Sequence, residues 1–276
     1  MQNNSTISLL QRNKKKWVKK SPCFVADTKR LKNTIEDFKN NFPGEIAYSY
    51  KTNPDLQIAK LISMNDCGFL VSSPDELENL SELKTVKKDR LIFQSPSLTK
   101  DQLMRLLQMG VKRFSIDSLD QLDLILKNVP LEKNGFELFV RINTGFKVKN
   151  PELPYGMDSF LGFPLKNAIS IFEKLNKLRN NGNIKLGLHN HLISQNTYLD
   201  AWKKNVDIIA DFVKTLKEKG IKIDYINFGG GYPVKYHGNV PSLQQIGKIL
   251  STGRKKISDT FPNMKYIYEP GRKLVA

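Results

Sequence analysis

Short apolar runs recur along this chain, and each is trailed by a stretch in which apolar positions return every three to four residues. The first pattern predicts a buried strand and the second an amphipathic helix. A strand-like run at 22–26 leads to Asp27-Thr28, which cap a helix over 29–41 with Leu31, Ile35 and Phe38 on one face; Pro43-Gly44 ends it. A strand at 45–50 and a helix at 54–64 follow. The unit then repeats as strand 69–72 with helix 74–83, strand 90–94 with helix 99–109, and strand 113–116 with helix 119–127. Further strands at 137–142, 184–188, 223–228 and 266–268 alternate with helices at 165–179, 199–219 and 242–261. About eight strands alternating with helices is the count of a (β/α)8 barrel. A doubly wound open sheet carries the same alternation, and periodicity alone does not separate the two. Segment 143–163 breaks the rhythm with Gly145, Pro151, Pro154 and Gly156, and a long loop at a strand end is expected to be functional.

Composition narrows the setting. Hydrophobic residues at 39% and charged residues at 26% describe an ordinary globular core, and 276 residues fit one large barrel or two small domains. Segment 1–20 has an apolar patch only at 7–10 before Lys14-Lys15-Lys16, too short for a signal sequence. No window approaches the ~20 apolar residues of a membrane span. Cys23 and Cys67 form neither a disulfide framework nor a metal-ligand spacing, so a cytoplasmic protein without a metal is expected. The net charge is +17, but lysines are scattered through nearly every predicted helix rather than gathered in one stripe. That distribution predicts a solvated surface and not a nucleic-acid interface, and it is compatible with anionic ligands.

In a barrel the reactive groups sit at the carboxyl ends of the strands. Those positions hold Lys51, Ser72-Ser73, Asp117-Ser118, Arg141, His189, His191, Gly229-Gly230-Gly231 and Glu269-Pro270-Gly271-Arg272. Lys51 ends an apolar, aromatic strand just before the Asn53-Pro54 turn, where an ammonium either snorkels to water or does chemistry. The glycine triplet is expected to expose backbone amides to a phosphate, with Arg272 after the next strand as a clamp. His189 and His191 are expected on opposite faces, which argues against a two-histidine metal site and leaves His191 facing the barrel mouth. Glu269 follows Tyr266-Ile267-Tyr268 and needs a cationic partner, either Arg272 or the protonated ring nitrogen of a cofactor. Lysine, phosphate cradle, histidine and carboxylate together describe a pyridoxal phosphate site. There the lysine forms the internal aldimine and the carboxylate keeps the pyridine nitrogen protonated.

These residues resemble the fold-type III pyridoxal phosphate decarboxylases acting on ornithine, diaminopimelate, lysine and arginine. Ala47-Tyr48-Ser49-Tyr50-Lys51-Thr52-Asn53 resembles the cofactor-lysine motif, Gly68-Phe69 to Glu76-Leu77 the following strand and helix, and Asp117-Ser118 the fourth strand end. His189-Asn190-His191-Leu192-Ile193-Ser194-Gln195, Gly229-Gly230-Gly231-Tyr232-Pro233 and Glu269-Pro270-Gly271-Arg272 are similar to the histidine strand, phosphate loop and pyridine-nitrogen motif. The resemblance implies a barrel of the alanine racemase type in which Lys51 carries the cofactor and His191 stacks on its ring. Ser194, Gly229, Gly230, Gly231, Gly271 and Arg272 would hold phosphate, Glu269 would pair with the ring nitrogen, and Arg141 and Glu76 would support the site.

Departures from the pattern are Leu70 in place of an aspartate, Ile193 in place of a glycine, and Ser159-Phe160-Leu161-Gly162 without the usual lysine and phenylalanine. Family members continue past the Glu-Pro-Gly-Arg motif into a β-sandwich domain, with active sites shared across a homodimer. Ala276 stops short of that domain, so an N-terminal arm at 1–27 and a cofactor-binding barrel at 28–276 are expected. The implied function is decarboxylation of a basic or diamino acid, as in polyamine or lysine biosynthesis. The alternatives are a truncated or non-catalytic homologue that holds cofactor or a partner subunit, and an amino-acid racemase, where arginine typically meets the ring nitrogen.

Overall fold

Eight parallel strands follow one another around a closed ring: β1 Glu45–Ser49, β2 Gly68–Val71, β3 Leu91–Phe93, β4 Arg113–Ile116, β5 Glu137–Asn143, β6 Lys185–Asn190, β7 Tyr225–Asn227 and β8 Lys265–Tyr268. Pairing of Glu45 with Ile267 and of Ile46 with Tyr268 seals β8 to β1, so the ring is a (β/α)8 barrel and not an open sheet. The computed structural model describes residues 11–12, 25–131, 135–146, 161–181, 184–236 and 238–276. A two-residue strand, Phe163–Pro164, takes over the edge of β5 at Ile142 and Asn143, beyond the last pairing with β4.

The outer layer holds α1 Thr28–Asn41, α2 Leu56–Met64, α3 Pro74–Ser81, α4 Lys100–Gln108, α5 Leu119–Asn128, α6 Leu165–Asn181, α7 Leu199–Glu218, α8 Leu243–Thr260 and the single turn α9 Arg272–Val275. Short polar side chains start these helices by accepting backbone N–H groups: Asp27 caps α1 and Asp55 caps α2, while Thr99 with Gln102 and Ser242 with Gln245 close reciprocal capping boxes. Helix α1 precedes the first strand, yet it packs between α8 and α2 and touches α9. It therefore fills the outer-layer place that follows the eighth strand, burying Leu31, Ile35 and Phe38 there.

Alternation along each strand sends one set of side chains toward the helices and the other into the barrel. The inward set stacks in three layers. At the amino ends, Arg113 is 3% exposed and pairs with Glu45 at 2.6 Å and Glu137 at 2.8 Å. Its guanidinium also lies 5.6 Å from the Phe139 ring centre and 5.7 Å from that of Tyr225, whose hydroxyl donates to Glu137. Above this charged base Ala47, Leu70, Ile92, Phe139 and Ile267 form an apolar plug. Gly187 belongs to the same layer because a Cβ there would run into the Phe139 ring. The third layer, at the carboxyl ends, is polar and is described below.

Three expectations need adjustment. Val25 and Ala26 have no regular structure, and the rest of the strand at 22–26 lies outside the described residues, as does the arm at 1–27 apart from 11–12 and 25–27. The first strand stops at Ser49, since Tyr50–Thr52 turns as a 3-10 helix. The sixth strand continues two residues past its expected end, because Asn190 still pairs with Ile142. Of the loop at 143–163, residues 147–160 lie outside the described residues. No helix among the described residues is long and apolar enough to cross a membrane.

The base layer makes a measurable claim. Arg113→Ala strands Glu45 and Glu137 beside a buried apolar plug, and a loss of about 3 kcal/mol is expected in urea unfolding followed by circular dichroism. An unchanged unfolding midpoint would show that the ion cluster does not hold the barrel.

Candidate active site

The carboxyl ends of the strands enclose a cavity of about 1160 Å³ lined by Lys51, Arg141, His191, Ser194, Gly231, Glu269, Gly271 and Arg272, among others. Lys51 lies in the turn after β1 with its side chain exposed. Two tyrosines fix that turn from below. Tyr48 donates its hydroxyl to the Asn53 carbonyl at 3.2 Å and Tyr50 donates to the Pro54 carbonyl at 2.8 Å, while Asn79 donates to the Tyr50 oxygen. From the side, Ser49 N–H donates to the Pro270 carbonyl at 3.0 Å, and Gly271 sits so close to Thr52 that a Cβ would meet its hydroxyl. The segment after β8 is thereby pressed against the lysine turn.

Glu269 is 4% exposed. Asn227 donates to its Oε1 at 2.6 Å, and His189 Nε2 lies 3.5 Å from its Oε2. Burial pushes this carboxyl up, but His189, His191 and the Asn227 amide outweigh it and hold the group down at about 2. Glu269 is therefore an anion on the cavity floor at any physiological pH. His189 is fully buried, with Ser115 Oγ 2.7 Å from its Nδ1.

His191 stands just past the end of β6. Its Nδ1 accepts the Gly230 N–H at 3.2 Å, which leaves the proton of the neutral ring on Nε2. Burial and, next, the Arg141 charge push its pKa down to about 4, so the ring is uncharged near neutrality. Arg141 is itself held by Asp117 at 3.2 Å, deep among the strand ends. Burial raises the Asp117 carboxyl, and Arg141 opposes that rise. At the cavity's edge the Arg272 guanidinium lies 5.6 Å from the Tyr236 ring centre.

This donor set fits pyridoxal phosphate: a reachable primary amine, an ionised buried carboxylate, a neutral imidazole, and a hydroxyl, a glycine backbone and a guanidinium for an anion. Comparison with known proteins agrees. The model of the pyridoxal-dependent decarboxylases, pyridoxal binding domain, matches residues 28–276. The chain belongs to this family. Diaminopimelate decarboxylase of Methanocaldococcus jannaschii is 28% identical over 235 residues, 84% of this chain and 53% of that protein. The lysine/ornithine decarboxylase of Selenomonas ruminantium is 24% identical over 254 residues, 91% of this chain and 61% of that protein. The crystal structure of the M. jannaschii diaminopimelate decarboxylase has a TM-score of 0.80 at 26% identity, covering 93% of this chain and 62% of that one. A diaminopimelate decarboxylase from Helicobacter pylori, complexed with L-lysine, shares the fold with a TM-score of 0.81 at 20% identity, covering 95% and 66%. The chain thus spans roughly half to three fifths of the length of the curated relatives it matches.

Within this pyridoxal-binding domain the structure brings Lys51, Arg141, His191, Ser194, Gly231, Glu269, Gly271 and Arg272 to one cavity, and it departs from the expected arrangement in three respects. Residues two apart on a strand share a face, so His189 and His191 do not diverge: both act on Glu269, His189 from inside the barrel and His191 from the cavity. Of the glycines, Gly231 lines the cavity, whereas Gly229 N–H donates to Asn227 Oδ1 and Gly230 N–H to His191. Gly229 and Gly230 serve close approach, since a Cβ on either would strike the carbonyl of Asn190 or of Glu269. Glu76 does not line the cavity; its carboxylate accepts the Ser72 N–H at 2.7 Å and so steadies a cavity residue from behind. Asn227, Ser115 and Tyr236 carry no motif of their own, and only their register against Glu269, His189 and Arg272 shows what they do.

The neutral His191 sets a pH dependence. Its folded pKa of about 4 lies below the ordinary 6.5, so between those values the unfolded chain binds a proton that the folded chain refuses. Stability from this group is complete above pH 6.5 and is lost as the pH falls toward 4. In protein without added cofactor, the His191 ring resonance is expected to titrate near 4, and His191→Asn is expected to flatten the stability curve in that window. A ring titrating near 6.5 would contradict the assignment.

Proposed function

We propose that this chain binds pyridoxal 5'-phosphate and that the enzyme it forms decarboxylates a basic or diamino acid. The observation that carries this is the buried Glu269 carboxylate held at about 2 on the floor of a cavity that also exposes Lys51. Lys51 would offer the amine that holds the cofactor's aldehyde end. Ser194, the Gly231 backbone and Arg272 would hold the phosphate. Glu269, always ionised, would favour a proton on the pyridine nitrogen, and uncharged His191 would add no competing cation. When bound, the cofactor supplies a protonated ring that accepts the electron pair left by the departing carboxyl carbon. Arg141, tied to Asp117, keeps a fixed positive charge above the apolar plug.

Glu269 weighs against the racemase alternative, for a carboxylate there makes a stronger electron sink than arginine. Basic or diamino acids as substrates follow the relatives, which are diaminopimelate and lysine/ornithine decarboxylases. Assembly as a homodimer belongs to the same proposal. One observation favours a second reading, a non-catalytic cofactor-binding homologue: Leu70, where the resemblance implies an aspartate, is 5% exposed and presents a hydrocarbon to the cavity.

Pyridoxal 5'-phosphate added to the purified protein is expected to give a visible absorbance band, and borohydride reduction to leave the cofactor on Lys51 in peptide mass spectra. Lys51→Ala removes both. Carbon dioxide release from labelled diaminopimelate, lysine or ornithine is expected, slowed by roughly two orders of magnitude in Glu269→Gln while the band persists. No band in the wild-type protein rejects cofactor binding; a band without carbon dioxide from any of the three rejects the decarboxylase and leaves the second reading.

A further inference from the structure

Two loops meet beside the cavity, one following β6 and one following β7, and a single side chain joins them. Gln195 Oε1 accepts the Val234 N–H at 2.9 Å, and its Nε2 donates to the Val234 carbonyl at 3.1 Å. Both ends of the amide are thus spent on one backbone residue. Asn196 adds a third bond, its N–H donating to the Gly231 carbonyl at 2.9 Å. The Gln195 backbone has φ 55°, the left-handed conformation that a residue with a Cβ adopts at a cost; among described non-glycine residues Asp66 alone shares it. That twist aims the glutamine side chain at Val234 while its neighbour reaches Gly231.

Two of the expected phosphate-holding groups, Ser194 and Gly231, lie within two residues of these bonds, and the third, Arg272, is reached through Tyr236. Ser194, exposed and on the cavity wall, precedes Gln195, and Gly231 accepts the Asn196 bond. Tyr236, two residues beyond Val234, lies against the Arg272 guanidinium. Behind the loops the wall is solid: Trp202 donates its ring N–H to the Asn196 carbonyl at 3.1 Å and stacks on Tyr232 with ring centres 5.3 Å apart. A tetrahedral dianion draws donors from both loops at once, so it is sensitive to their register.

We propose that Gln195 is a positioning residue, an amide clamp that registers the two loops so that Ser194, Gly231 and Arg272 converge on a phosphate monoester. The proposal rests on the cofactor assignment above and specifies its phosphate end. Because none of the clamp's bonds involves Lys51 or Glu269, it governs the phosphate and not the aldehyde. The quantity to measure is the preference for pyridoxal 5'-phosphate over pyridoxal, read from equilibrium absorbance titrations.

Two variants separate clamp from strain. Gln195→Met keeps the length and the strained backbone but loses both bonds; Gln195→Gly loses both bonds and relieves the strain. In each, a fall of about tenfold or more in that preference is expected, with pyridoxal affinity unchanged and the circular dichroism spectrum preserved. A preference within twofold of wild type in both variants overturns the clamp, as does an equal loss for the two aldehydes. Unfolding of both variants also overturns it, because the amide then supports the barrel as a whole. Wild-type protein that takes up neither aldehyde overturns the cofactor assignment itself, an outcome distinct from retained preference in the variants.

Discussion

Closing a parallel sheet on itself leaves half of every strand's side chains with nowhere to go but inward, and that constraint organises this molecule. The interior is filled in order: a charged base around Arg113, an apolar plug around Phe139, then a polar layer that includes Arg141, His189 and Glu269. The plug matters to the chemistry above it. It separates the polar layer from water at the opposite end of the barrel, so the charges at the strand ends interact across a poorly screening medium. One glycine makes the plug possible, since the Phe139 ring occupies the space a Gly187 side chain would need.

Within the polar layer no functional group is set by its own residue type alone. Glu269 is anionic because Asn227 and the histidines offset its burial, and His189 is in turn oriented by Ser115 from across the barrel. His191 is neutral because burial and the nearby Arg141 charge disfavour its cation, while the Gly230 N–H occupies its Nδ1. The charge states follow from strand register, which fixes who faces whom.

Much of this was legible in the amino-acid sequence because strands and helices announce themselves by period. Lys51, Arg141, His191 and Glu269 were found by reading only strand ends, a rule that needs no tertiary knowledge once a barrel is assumed. What escaped depends on pairings between distant segments. The engagement of Gly229 and Gly230 N–H by Asn227 and His191, the Gln195 bonds to Val234, and the Tyr236 contact with Arg272 all join separate loops. Glu76 was placed at the site from its motif, but a capping position explains it locally: a glutamate three residues into a helix turns back on the preceding backbone. The expected divergence of the two histidines misapplied the two-residue period of a strand.

The seam of the barrel has a consequence for how the molecule comes into being. β1 holds Lys51 at its end, yet its second neighbour is β8, encoded at the far end of the chain, while α1 waits for the same region to supply α8 and α9. During synthesis the first strand and first helix therefore emerge with partners that do not yet exist. The lysine turn acquires two further supports, Pro270 and Gly271, only after residues 270–271 have been made. Assembly of the Lys51 turn and completion of the ring are then a single event, dominated by the longest-range contacts in the fold.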